Sequence, residues 1–111
     1  MSIPVPLPEL AGTMSRFDSV PYLLTVGPDA TPHAASVNVE WSQGTLLVGA
    51  GRRTAANIRT NESLALLWPP SSPGDYSLIV DGTGSVREEG PHLVVVIEPT
   101  SAILHVTARR P

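Results

Sequence analysis

The chain has 111 residues, the length of one domain. That is too short for separate cofactor and substrate domains, and a large ligand pocket would need a second subunit to close it. Hydrophobic residues are 41% and charged residues 15% of the sequence, and ten acidic against seven basic residues give a net charge of −3, which excludes disorder of the whole chain and argues against nucleic acid as a partner.

Cysteine is absent and all seven basic residues are arginine. Disulfides, thiol nucleophiles and cysteine-held metals are therefore excluded, as are lysine Schiff bases and a Walker A loop.

Residues 1–7 alternate proline with apolar side chains and read as an extended arm. Pro8 suits the first position of a helix and Glu9 its positive end. Leu7, Leu10, Met14 and Phe17 recur at i, i+3, i+7 and i+10, which predicts a short amphipathic helix over residues 8–17. The arm and helix make up residues 1–18, and the rest of one barrel domain follows over 19–111. Residues 20–26 are apolar and β-branched and predict a strand, ended by the turn residues Gly27-Pro28-Asp29-Ala30. Ala35, Val37, Val39 and Trp41 alternate with Ser36, Asn38 and Glu40, the clearest period-2 segment in the chain. Ser42-Gln43-Gly44 makes a hairpin loop, and Thr45 to Val48 a third strand.

Gly49-Ala50-Gly51-Arg52-Arg53 interrupts the strand pattern, and Thr54 is placed to cap a short helix reaching about Thr60. Residues 64–68 form a strand, residues 69–74 a proline-rich loop, and residues 76–87 a long strand that Gly82 and Gly84 bend or bulge. Residues 92–97 are continuously apolar, as in a strand buried on both faces. After Pro99, residues 102–107 fit either a last strand or a helical turn. The sum is a mainly β chain of six or seven strands and two short helices. Its short connections argue antiparallel pairing, and closure into a small barrel removes open edges. The longest apolar run, residues 93–97, is far short of a membrane span. The first residues also lack the order of a signal peptide, so a cytoplasmic protein is expected. Arginine without lysine, with abundant alanine, glycine and proline, fits a GC-rich bacterial genome.

The segment Gly49-x-Gly51-Arg52-Arg53-Thr54 carries the strongest local chemistry. Glycines allow close approach of a ligand, a helix start favours an anion, and two arginines and a hydroxyl suit a phosphate. The plainer alternative is a strand-to-helix turn with two solvated arginines. His33, His92 and His105 are too scattered for a zinc motif. No nucleophile elbow surrounds a serine, and the carboxylates flank turns. Trp41 and Trp68 end strands, where packing or a place beside a flat cofactor are the two alternatives.

The sequence also resembles the FMN-binding split β-barrel family, the group of pyridoxamine 5′-phosphate oxidase and related flavin or deazaflavin oxidoreductases. Three pieces carry the resemblance. They are Tyr22-Leu23-Leu24-Thr25-Val26 with the turn and His33 that follow; Leu46 to Gly51 leading into Arg52-Arg53-Thr54-Ala55-Ala56-Asn57-Ile58; and Ser77 to Val86 with its Asp81-Gly82-Thr83-Gly84. The resemblance implies a homodimer with two flavin sites at the subunit interface and a cofactor that carries out hydride transfer. It places the cofactor phosphate at Arg52, Arg53, Thr54 and Asn57. The ring falls against Val37, Asn38, Val39, Gly49, Ala50 and Gly51, with Trp68 or a residue of the partner chain beside it. FMN is the expected cofactor and F420 the alternative; haem would need one of the three histidines as axial ligand. Many members carry a lysine where this chain has Thr54, so Arg53 must supply that charge. The sequence ends at Pro111 without the longer C-terminal segment of pyridoxamine 5′-phosphate oxidases proper, and that activity is not expected. A non-catalytic cofactor- or anion-binding module, or a structural barrel dimer, are the competing expectations.

Overall fold

The computed structural model describes residues 2–108 and 110. Its elements are β1 (Ser2–Pro4), a 3-10 turn (Leu7–Glu9), α1 (Leu10–Met14), β2 (Tyr22–Val26), β3 (Pro32–Ser36), β4 (Val39–Ser42), β5 (Thr45–Ala50), α2 (Arg52–Thr60), β6 (Ser63–Trp68), β7 (Ser77–Glu89) and β8 (His92–His105). The predicted helix over residues 8–17 is thus split into a 3-10 turn and one short α-helical segment. Hydroxyls compete with the backbone there: Thr13 Oγ1 donates to the Glu9 carbonyl at 2.9 Å and Ser15 Oγ to that of Gly12 at 2.7 Å. Most of the apolar stripe survives, because Leu10 is fully buried and Met14 and Phe17 pack against the core, whereas Leu7, in the 3-10 turn, is exposed.

All strand pairs are antiparallel, in the order β3-β2-β6-β7-β8-β5-β4, with β1 added along β8. The period-2 segment is therefore not one strand. Its first part pairs with β2 and its second with β5, and these lie at opposite ends of the sheet path. Only residues 37 and 38 separate the two strands, a span of about 10 Å at most, so the ends of the sheet are forced together and the sheet curls into a barrel. The alternation runs through the break unchanged, with Val37 buried between exposed Ser36 and Asn38, which is why the pattern alone gave no sign of it.

The two longest strands, β7 and β8, form the backbone of the barrel. Their register shifts between Asp81 and Gly82: Asp81 faces Ser101 and Gly82 faces Pro99, leaving Thr100 as the extra residue. A bulge is where a strand tolerates proline, so β8 runs through Pro99 instead of ending there, and residues 102–105 are strand. The face of β8 is buried at Val95 and Ile97 but only half-buried at Val94 and Val96, so the expected burial on both faces holds for one. The core is aliphatic, with Leu23, Leu46, Leu66, Leu78 and Val80 fully enclosed. The arm, by pairing Ser2 with His105, supplies the eighth strand. Among the described residues no helix is long and apolar enough to cross a membrane.

Candidate functional site

Along β5 the side chains alternate, Leu46 and Val48 inward, Leu47 and Gly49 outward. Pairing sets Gly49 opposite Val94 of β8 and Leu47 opposite Val96 on one side, and Leu47 opposite Glu40 of β4 on the other. Two adjoining hollows follow this outer strip. One, of about 490 Å³, is lined by Gly49, Ala50, Gly51 and Arg52 together with Pro91, His92, Leu93 and Val94. The other, of about 210 Å³, is lined by Asn38, Val39, Glu40, Leu47, Val48, Glu89 and, again, Gly49 and Val94. Sharing Gly49 and Val94, they adjoin as one groove, with Arg52 and His92 lining the first hollow and Glu40 and Glu89 the second; Glu89 faces His92 across the β7–β8 hairpin. Glu89 is ion-paired with Arg87.

The floor of this groove is glycine where packing does not require it. A Cβ built on Gly49 or on Gly51 meets no atom within 4 Å, and neither residue has a positive φ. The missing side chains leave open space that a flat ring or a polar chain can fill, and the residues present fit such a group.

At Arg52 the strand gives way to α2. Gly51 is the N-cap, with an extended backbone and no side chain to cap the helix, and no acidic residue stands in the first turn. This corrects the expectation that Thr54 caps the helix. Thr54 lies one turn further in and is buried, because the face of α2 formed by Thr54, Ala55, Asn57 and Ile58 packs onto the barrel. The helix thus begins with orphan N–H donors, the positive end of its dipole and two exposed arginines, a combination suited to an anion.

The structure brings Asn38, Val39, Gly49, Ala50, Gly51 and Arg52 together in the groove. It sets the other predicted residues elsewhere. Val37 is 7% exposed and packs in the core, one step out of phase with Asn38. Trp68 is 4% exposed, because the alternation of β6 puts it with Leu64 and Leu66 on the inner face. In this chain it is a core residue, not a wall of the groove. Asn57 is buried too, and its Nδ2 donates to Thr25 Oγ1 of β2 at 3.1 Å. Arg53 is exposed beside the groove and toward the β2–β3 turn. There Asp29 is held below the usual carboxylate range, first by hydrogen bonds from Thr31 and, to a lesser degree, by the Arg53 charge.

Residues 91–94, Glu40 and Glu89 were not singled out as site residues by sequence. No local motif marks them: Leu93 and Val94 reach the groove through the β5–β8 pairing, some 45 residues away in sequence, Glu40 through the β4–β5 pairing, and Glu89, Pro91 and His92 through the β7–β8 hairpin. A separate apolar groove of about 420 Å³, lined by Leu24, Val26, Pro32, Ala34 and Ala65 with His33 beside them, receives none of the predicted site residues. Among the described residues no group of three or more histidines and carboxylates is placed to hold a metal.

No protein-family model matches the chain. Among solved structures it is similar to a pyridoxamine 5′-phosphate oxidase-like protein of Listeria innocua, with a TM-score of 0.72 and 19% identity over 88% of this chain and 96% of that one. The fold is the split β-barrel of that protein. An F420 reductase shares this split barrel with a TM-score of 0.63 and 20% identity over 76% of this chain and 88% of that one. So does HutZ, a heme storage protein of Vibrio cholerae, with a TM-score of 0.67 and 12% identity over 92% and 95%. Among curated sequences, uncharacterized proteins of Mycobacterium tuberculosis and Mycobacterium bovis are 41% identical over 58 residues, which are 50% of this chain. That match spans 41% of the length of those relatives.

Proposed function

We propose that this split barrel binds FMN, with F420 as the alternative, and serves as an oxidoreductase acting on a small substrate. The observation that carries the reading is the open glycine floor of Gly49 and Gly51 running straight into the uncapped, arginine-bearing start of α2. Arg52 and Arg53 hold the phosphate by charge-assisted, bidentate hydrogen bonds, helped by the first-turn N–H groups. With Thr54 buried, these two arginines carry the charge that many members take from lysine. Leu47, Gly49, Val94 and Val96 offer an apolar bed for a ring, and Asn38 and Glu40 polar groups at its edge. When bound, the cofactor supplies the hydride chemistry, and the protein orients it and excludes water. A second copy of the chain completes the groove, which one protomer leaves open along its length.

The test is titration of the purified protein with FMN and with F420, followed by absorption and size-exclusion chromatography. Wild type is expected to retain cofactor as a dimer. The double variant R52A/R53A is expected to lose at least about 100-fold in affinity, since each charge-assisted contact is worth about 1.5–3 kcal/mol. Unchanged retention in that variant would sink the assignment.

One observation favours a second reading, a non-catalytic module that stores or senses haem. His92 stands in the same groove as Arg52, a pairing that suits an iron ligand beside an anionic side group. A haemin titration that gives a Soret shift in wild type and none in His92→Ala would select it.

A further inference from the structure

Helix α2 presents Arg52 to the groove, but what sets its position lies on another face. Asn57 and Thr25 are 4% and 2% exposed and share the side-chain hydrogen bond that ties α2 to β2. The rest of the buried face of α2, chiefly Ala55 and Ile58, meets an aliphatic core. Aliphatic contacts tolerate small slides, whereas a buried amide and hydroxyl do not. Separation by even an ångström leaves both groups desolvated and unpaired.

The neighbouring turn reinforces the link. A Cβ on Gly27 would stand 3.6 Å from Asn57 Oδ1 and 3.3 Å from Asp29 Oδ1, and the Asp29 carboxylate accepts the Thr31 N–H at 3.2 Å. Arg53 is four residues before Asn57 and so lies on the same side of the helix, facing this turn. The β2–β3 hairpin thus grips α2 through Asn57, one turn behind the residues that would meet an anion.

We propose that Thr25 and Asn57 are a positioning pair, which fixes how far α2 carries Arg52 and its first-turn N–H groups over the glycine floor. Asn57 then acts through the helix and does not touch the ligand. The proposal rests on reading the groove as the anion-holding site.

Thr25→Val removes the acceptor at nearly constant volume, and Thr25→Ser keeps it. Two readouts are taken on each: amide hydrogen exchange over residues 52–57 in the cofactor-free protein, and FMN affinity by fluorescence quenching. Thr25→Val is expected to speed exchange in α2 and to weaken FMN about tenfold, while Thr25→Ser restores both. If Thr25→Val folds poorly, Asn57→Ala removes the donor with a good helix former and is read the same way. Faster exchange with unchanged FMN affinity overturns the positioning role, and so do unchanged values of both. Should wild type hold no FMN, the reading of the groove fails, while faster exchange confined to α2 in Thr25→Val, reversed in Thr25→Ser, still supports the grip of the pair on the helix.

Discussion

Strands β7 and β5 flank β8 on either side, and each carries glycine on or near its path for a different reason. In β7, a Cβ on Gly82 would lie 2.6 Å from the Glu98 carbonyl oxygen, and one on Gly84 would lie 2.7 Å from Leu64 Cδ2 and 3.0 Å from Val95 Cγ1. These glycines exist because strand and core come too close for anything larger. Gly49 in β5, and Gly51 just after it, would meet nothing. The fold accepts a side chain at both positions, and only the proposed ligand would need them bare. Open space alone does not mark a ligand, since Gly12 of α1 also meets nothing; Gly49 and Gly51 differ from it in lining the groove.

Substitution breaks this comparison most strongly at the packed pair. Gly82→Ala forces a methyl against backbone that cannot swing away, at the bulge that lets β8 pass Pro99. It is expected to cost about 3 kcal/mol, the upper end of overpacking. Gly84→Ala meets side-chain tips that can rotate, and about 1–2 kcal/mol is expected. Urea midpoints at fixed m-value give both numbers. Equal, negligible effects at the two positions would remove the contrast.

The same two strands show how far sequence could reach. The glycines of β7 predicted a bend or bulge because glycine inside an otherwise regular strand has few other uses, and the register shift falls at Gly82. The Gly49 to Arg53 segment predicted an anion site because its residue types are chemically specific over a short stretch. Residues that reach the groove by pairing, such as His92 and Val94, carry no such local mark. Nor could alternation tell that residues 35–41 leave one end of the sheet and join the other, since inward and outward phases continue across Val37. Trp68 and Asn57 were drawn toward the ligand by resemblance, whereas the inner faces of β6 and α2 bury them.

At the open pair the expected effects on stability and binding have opposite signs. Gly49→Ala fills no occupied space and removes the entropy cost of glycine in a strand, so stability rises by about 0.5–1 kcal/mol. FMN affinity falls at the same time, because the methyl stands where the ring would rest, and Gly49→Leu should lower it further without unfolding the barrel. A protein made more stable and less able to bind is the signature of a residue kept for its ligand. A Gly49→Ala variant that gains stability and binds FMN as before would leave the glycine without that explanation.

The smallest expected effect is electrostatic and lies beside Arg53. The carboxyl of Asp29 has its pKa lowered in the folded state from the ordinary 3.8, by Thr31 first and by Arg53 to a lesser degree. Its stabilising contribution is therefore present above the unfolded pKa and disappears as pH falls through the folded one. Because Asp29 is fully solvent-exposed, water and salt screen the interaction. Asp29→Asn should thus lie slightly below wild type in thermal midpoint at neutral pH, and the gap should close as pH falls through the lowered folded pKa, where the wild-type carboxyl is protonated as well. In R53A the gap should narrow at neutral pH but not vanish, since the larger contribution from Thr31 remains. A gap that widened on acidification would mean that Asp29 is held by desolvation instead, and would dissolve the distinction between an arginine facing the turn and an arginine facing the groove.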